Sequence, residues 1–227
     1  MRLLAFDTAT TATAVALVDT KAGLELELRD DPSGASRPGH AQKLLRLVED
    51  VLVRGGGWDA VDRLAVGIGP GTFTGLRIGV ATAHALAYAT GLPLVGVSTL
   101  ASLERGALAA LASPRPVLAV IDARRGEVFA GGWDLSPCVL TPEALGAVVD
   151  RRNGDGVIAV GDGAVKFREV LERAGAYVPE DGAAVHRVSA VEHCWLAESV
   201  AAPARPAEVQ PQYLRLPDAE ISSKPKP

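Results

Sequence analysis

Asp7, Asp122 and the glycines at 69 and 71 are the residues of this chain whose type and setting could do chemistry. Asp7 closes the apolar run Leu3-Leu4-Ala5-Phe6 and is followed by Thr8-Ala9-Thr10. An aspartate at the end of a buried strand, with the hydroxyls of Thr8 and Thr10 beside it, can face a metal–phosphate group. It can equally cap its own backbone, as Asp and Thr do in many turns. Asp122 ends a second apolar run, Val117 to Ile121, and Ala123-Arg124-Arg125-Gly126 follows. Gly69-Pro70-Gly71 separates the run Leu64–Ile68 from a stretch of helical composition, with Thr72 or Thr74 able to cap that helix. Strand, glycine turn and helix N-terminus in this order present backbone N–H groups to an anion. The same order also serves to turn a tight corner.

Other chemistries find fewer residues. The four histidines are His40, His84, His186 and His193, and no two are four apart. His193 adjoins Cys194, but neighbouring helical positions diverge by about 100° and do not form a ligand pair. The two cysteines, Cys138 and Cys194, have no metal-ligand spacing, and a reduced setting suits them. No Gly-x-x-x-x-Gly-Lys-Ser/Thr loop is present. No nucleophile–base pair can be assembled from the sequence, which disfavours a glycoprotease-like hydrolase. The net charge of −4 leaves no global basic footprint for nucleic acid. No apolar run is long enough to span a membrane, and Met1–Phe6 meets Asp7 too soon for a signal peptide, so a cytoplasmic protein without a membrane partner is expected.

The elements that must position these residues read as α/β. Leu3–Phe6, Ala12–Val18 and Leu24–Leu28 are strands, and Asp30–Gly39 is a loop. A helix runs from His40 to about Val53, with Leu44, Leu45, Leu47, Val48, Val51 and Leu52 making a stripe too wide for a simple surface helix. The helix from Gly75 to Tyr88 carries Arg77 as its only formal charge. Gly75, Gly79, Ala83 and Ala87 form one ridge; Leu76, Val80 and His84 form the next. One side can pack on a sheet while the other needs a cover, from this chain or a second one. Which ridge faces which is open. A strand at Leu92–Val97, a helix capped by Ser98-Thr99, the strand ending at Asp122 and its partner Glu127–Trp133 follow. Val157–Val160, a helix to about Ala174, a last helix over Ser189–Val200 and an extended end complete the chain. An apolar strand ending in Asp near the start and again near the middle points to two related halves.

Several blocks together resemble the TsaB (YeaZ) family over nearly the whole chain: Phe6–Thr10, His40–Leu45, Gly69–Gly79, Ser98-Thr99-Leu100, Ile121–Arg124 and Pro211–Arg215. Gly69–Gly79 is the specific block. The resemblance implies an ASKHA fold, the duplicated architecture of actin and hexokinase, with lobes at residues 1–112 and 113–216; the Pro- and Lys-rich composition of residues 217–227 predicts a disordered tail. The resemblance also implies a non-catalytic subunit of the machinery that makes N6-threonylcarbamoyladenosine in tRNA. In that machinery a TsaD-like partner transfers the threonylcarbamoyl group, using a His-x-x-x-His metal pair that this chain lacks. A TsaE-like ATPase joins through the complex. ATP and metal then belong to partner subunits, tRNA is met indirectly, and Asp7, Thr8, Thr10, Gly69, Gly71 and Asp122 are vestigial phosphate turns. Arg124 and Arg125 stand where an ASKHA kinase needs small residues, and would crowd a magnesium–nucleotide. By the same resemblance the chain forms a homodimer alone and a heterodimer with TsaD, closing a four-helix bundle through His40, Leu44, Leu47, Val48, Val51, Leu76, Arg77, Val80, His84 and Tyr88. Family members carry Tyr where Phe129 stands, and Ser at Thr72 and Ala41. The rival reading is an active ASKHA ATPase or phosphotransferase using Asp7, Thr8 and Asp122.

Overall fold

The structure is a computed structural model that describes residues 1–32, 38–151 and 156–215; the expected tail at 217–227 lies outside them. Two mixed sheets organise the chain. The first has five strands in the order β3-β2-β1-β4-β5: Leu24–Asp30, Thr13–Asp19, Arg2–Asp7, Arg63–Gly69 and Leu94–Ser98. The second has four, in the order β8-β7-β6-β9: Leu135–Leu140, Glu127–Gly132, Val117–Arg124 and Ile158–Val160. In each sheet a strand ending at an aspartate turn, β1 or β6, pairs antiparallel with the next strand and parallel with a later one. The expected correspondence between the two aspartate strands is therefore seen in the topology. β5 has no counterpart among the described strands of the second sheet.

β1 and β2 are buried on both faces, which is why their sequences run apolar instead of alternating. Helices α1 (His40–Gly55) and α2 (Phe73–Thr90) lie side by side on one face of the first sheet. Leu44, Val48, Val51, Leu52, Val80, Ala83 and Ala87 pack there with Leu4, Phe6, Leu17, Leu64 and Val66. α2 starts two residues earlier than Gly75 and takes Thr72 as its N-cap, without a side-chain capping bond. Its small ridge faces the sheet. A Cβ on Gly75 would strike the Thr8 carbonyl, and one on Gly79 the Thr8 hydroxyl.

The other face of the first sheet is covered from a distance. Helix α7 (Ala190–Glu198) brings Ala190, Cys194 and Ala197 onto Leu3, Ala5, Ala16 and Val95. Conversely α3 (Thr99–Leu111), capped by Ser98 Oγ on the Ala101 N–H, packs Leu100, Leu103 and Ala107 on Ile121, Phe129 and Val160 of the second sheet. A chain divided at residue 112 thus exchanges a helix between its halves, and α3 and α7 form a layer between the sheets. The far face of the second sheet carries α4 (Pro142–Arg151), α5 (Asp162–Lys166) and α6 (Arg168–Arg173). The single helix expected up to Ala174 is broken at Phe167. β8 and α4 had no counterpart in the sequence reading. Pro137 inside β8 is tolerated because that strand is at a sheet edge. No described helix is long and apolar enough to cross a membrane.

Candidate functional site

The first aspartate turn and the glycine turn meet at the ends of β1 and β4, and the second aspartate turn, at the end of β6, is across a small cleft from the first. Asp7 is 1% exposed. Its Oδ1 accepts the Ala9 N–H at 2.7 Å, and its Oδ2 accepts the Thr99 hydroxyl at 2.9 Å. Oδ2 also lies 3.0 Å from Nε2 of His193, a side chain with no exposed surface. The ring N–H is not aligned as a hydrogen bond, so this is mainly a charge contact. On the other side of the ring, Nδ1 is 2.9 Å from the Ser189 carbonyl and 2.8 Å from Ser102 Oγ, which itself donates to that carbonyl at 3.0 Å. Both ring nitrogens therefore face acceptors, and imidazolium is the form that serves them. Burial works to raise the Asp7 pKa, but His193, the Ala9 N–H and the Thr99 hydroxyl overcome it and hold the carboxyl below its ordinary value. Burial likewise works to lower the His193 pKa, but Asp7 and the Ser189 carbonyl hold it above the ordinary value. The result is a buried ion pair between β1 and α7.

Ser102, His193 and Asp7 stand in the order of a hydrolytic triad. The sequence reading found no such pair because Ser102 and His193 are 91 residues apart and meet only through the α3–α7 contact. All three side chains are closed to solvent, and the serine proton is committed to a carbonyl. The geometry builds a brace, with no room for a substrate.

The second turn is filled differently. Lys166 Nζ contacts both oxygens of Asp122 at 3.0 and 2.9 Å, and Arg124 adds Nη1 at 3.2 Å and its own N–H at 2.9 Å. Lys166, on α5, escaped the sequence reading. Arg124 and Arg125 hold φ of 64° and 54°, a region that favours glycine, so the backbone of this turn is strained. Asp162 Oδ1 accepts the Asp122 N–H at 2.9 Å; burial, aided by the charge of Asp122, raises the Asp162 pKa. Between the turns is a cleft of about 110 Å³ lined by Thr10, Thr11, Arg29, Asp162, His186 and Arg187. Pockets that enclose a drug-sized ligand run to about 300–1,000 Å³.

The glycine turn lies against the first aspartate turn. The Thr72 N–H donates to the Ala9 carbonyl at 2.7 Å, and the Thr8 hydroxyl donates to the Gly75 carbonyl at 2.7 Å. A Cβ on Gly71 would strike Ala9. Here the glycines serve close backbone approach between β1 and α2. Among the described residues no group of three or more His, Cys, Asp or Glu is placed to hold a metal ion.

The expected partner residues divide sharply. Leu44, Val48, Val51, Leu76 and Val80 are in this chain's own core. His40 is buried too. Its Nδ1 is 2.8 Å from Thr13 Oγ1, its Nε2 has no hydrogen-bond partner, and burial lowers its pKa. Leu47 and His84 are half-buried, and His84 Nε2 donates to the Val209 carbonyl at 2.8 Å. Only Arg77 and Tyr88 of that set are exposed. The outward apolar side chains are Leu45 and Val53 on α1, at 57% and 79% exposure, and Tyr88 on α2 at 63%, with Ala81 and Ala85 between the ends of α2. The wide apolar stripe on α1 is consumed by its own sheet, so most of the expected partner residues are core, and the exposed apolar side chains of α1 and α2 lie on another face.

The family model described as TsaD, tRNA N6-adenosine threonylcarbamoyltransferase, matches residues 31–187. The chain is 39% identical over 177 residues to the tRNA threonylcarbamoyladenosine biosynthesis protein TsaB of Escherichia coli strain K12, covering 72% of each. It is similar to the solved structure of YeaZ from Pseudomonas aeruginosa, with a TM-score of 0.72 and 29% identity over 94% of this chain and 99% of that one. The ROK hexokinase of Thermus thermophilus shares 12% identity with a TM-score of 0.51 over 88% and 100% of the chains, which shows an ASKHA-type fold alone.

Proposed function

Because this chain belongs to the TsaB (YeaZ) family, we propose that it takes part in N6-threonylcarbamoyladenosine formation in tRNA as a subunit that supports catalysis without performing it. The observation that carries this reading is the state of Asp7. Its carboxylate is bound by His193, Thr99 and the Ala9 N–H, and is almost fully closed to solvent, with little surface to offer a metal or phosphate. The Lys166 and Arg124 contacts on Asp122 and the small cleft point the same way. Nucleotide binding by this chain is then weak or absent, and ATP and metal reside on other subunits of a cytoplasmic complex.

The partner is a TsaD-like catalytic subunit of related fold. It docks on the outer face of α1 and α2, where Leu45, Val53, Ala81, Ala85 and Tyr88 stand exposed; a second copy of this chain occupies the same face when the chain is alone. Two helices from a partner added to these two form a four-helix packing that buries both stripes. A TsaE-like ATPase and tRNA are reached through that complex.

The test is reconstituted tRNA modification with the cognate catalytic subunit. Asp122→Asn should leave the rate unchanged, and Ala85→Arg should fold but neither pair nor support modification. A large loss of rate in Asp122→Asn, at unchanged affinity for the partner, would make this chain a contributor of a catalytic carboxylate. Hydrolysis of ATP by the chain alone in the presence of magnesium would support the ATPase reading instead.

A further inference from the structure

The segment after α7 does more than trail from it. Val209 is buried in the first-sheet core, and its carbonyl accepts from His84 on α2. The Gln212 N–H donates to the Ile68 carbonyl on β4 at 2.7 Å. The ring of Tyr213 packs on Phe73 with centroids 5.1 Å apart. Arg77 lies 3.8 Å over the same Phe73 ring and donates from Nε to the Tyr213 hydroxyl at 3.2 Å. Directly afterwards the contacts change lobe. Leu214 packs on the cluster of α3 and the second sheet, and Arg215 Nη1 donates to Glu127 Oε2 at 2.8 Å, at the start of β7. Two residues thus span from the end of β4 to the turn that follows Asp122.

The geometry points to a clasp: residues 209–215 hold the two sheets at a fixed spacing, and couple that spacing to Arg77 on the exposed side of α2. The segment is fastened to the first sheet through Val209 and Gln212 and to the second through Leu214 and Arg215, so a change in their spacing must break one of these contacts. Arg77 is held by an aromatic ring and a hydroxyl that belong to the clasp, so anything that draws the guanidinium away also loosens Tyr213. This holds whether or not the chain is catalytic, since it concerns only the mechanical link between the two sheets.

Hydrogen exchange of the full-length protein, followed residue by residue by NMR, tests it. The reporters are the Thr72 N–H, bonded to the Ala9 carbonyl, and the Asp122 N–H, bonded to Asp162. Arg215→Glu should speed exchange at both by about threefold or more, because it turns an attraction into a repulsion, while Ala5 and Val120 in the sheet interiors keep wild-type rates. Arg215→Glu with Glu127→Arg should restore protection. Arg77→Ala should speed exchange at Asp122, which it does not touch; a purely local role would affect only residues near 73 and 213. The inference is overturned if exchange rises only within residues 211–215. It is also overturned if Ala5 and Val120 accelerate in parallel with the reporters, which would mark a global loss of stability.

Discussion

Replacing Asp7 with Asn separates a brace from a catalyst, because the two roles predict opposite outcomes. The substitution keeps the shape and removes the charge. His193 then loses its contacting counter-ion in a site closed to water, keeping only the more distant Glu27 charge, and the Thr99 hydroxyl faces an amide in place of a carboxylate. Breaking a buried pair from one side typically costs about 3–5 kcal/mol. The value here should fall somewhat lower, at about 2–4 kcal/mol, since the contact is poorly aligned and an imidazolium can shed its proton. At about 2–4 °C per kcal/mol for a chain of this size, the Tm should drop by about 5–15 °C. Urea unfolding should show a lower midpoint at an unchanged slope. Asp7→Asn with His193→Asn should recover at least about 1 kcal/mol relative to the sum of the single changes, since neither charge is then left alone. Reconstituted modification, assayed below the variant's melting range, should keep its wild-type rate. The reasoning is refuted if Asp7→Asn is as stable as wild type and modification is abolished. Asp7 would then be a working carboxylate, and His193 its servant.

The pH profile of stability follows from the same groups, with signs that differ. His193 is held above its ordinary value of about 6.5, so its contribution is full below that pH and lost as the pH rises through the raised folded value. Asp7 is held below its ordinary value, so its contribution is present above about 4 and lost as the pH falls through the depressed folded value. His40 is depressed by burial and opposes His193: its neutral burial favours folding above about 6.5 and disfavours it below. Thermal melts from pH 4 to 9 should therefore lose their alkaline decline in His193→Gln and soften near pH 6 in His40→Gln; superimposable profiles would exclude both assignments. Gly75→Ala should destabilise by about 1–3 kcal/mol, since its Cβ meets the Thr8 backbone and not a movable side chain; circular dichroism melts decide it, and a neutral result would mean the β1–α2 contact relaxes freely. Ala85→Arg should keep the monomer's Tm and weaken pairing by about 2–4 kcal/mol, roughly thirty- to several-hundred-fold, by sedimentation; unchanged pairing would move the interface elsewhere. Val80→Arg, by contrast, should unfold the first lobe, because Val80 is a core residue.

Local physics made the scaffold of the site readable from sequence. β1 and β6 are apolar runs that end in Asp, and α2 has a ridge of glycine and alanine at four-residue spacing. The pattern could not say that Gly79 faces Thr8, because Gly79 and Val80 are on adjoining ridges and both are suited to burial. The structure buries both, one on the sheet and one in the α1–α2 core, and leaves Ala81, Ala85 and Tyr88 outside. The role of His193 is hidden in the sequence for a different reason. Its meaning depends on α7 crossing back to the first sheet, a contact between residues nearly the full length of the chain apart, and nothing in the helix 190–198 announces its destination. The same applies to Lys166, whose ammonium reaches Asp122 from a five-residue helix with no periodic signal.

Both aspartates were legible as residues with a task, and in both the partner that decides the task came from the unread part of the fold. A carboxylate at the end of a buried strand must be balanced by something. At Asp7 and Asp122 alike the balance is a cation of this chain, arriving on a helix from the second half. In the supporting role proposed above, each carboxylate keeps its bonds to the backbone, the Ala9 N–H at Asp7 and the Arg124 N–H at Asp122, while its charge is met from within the chain.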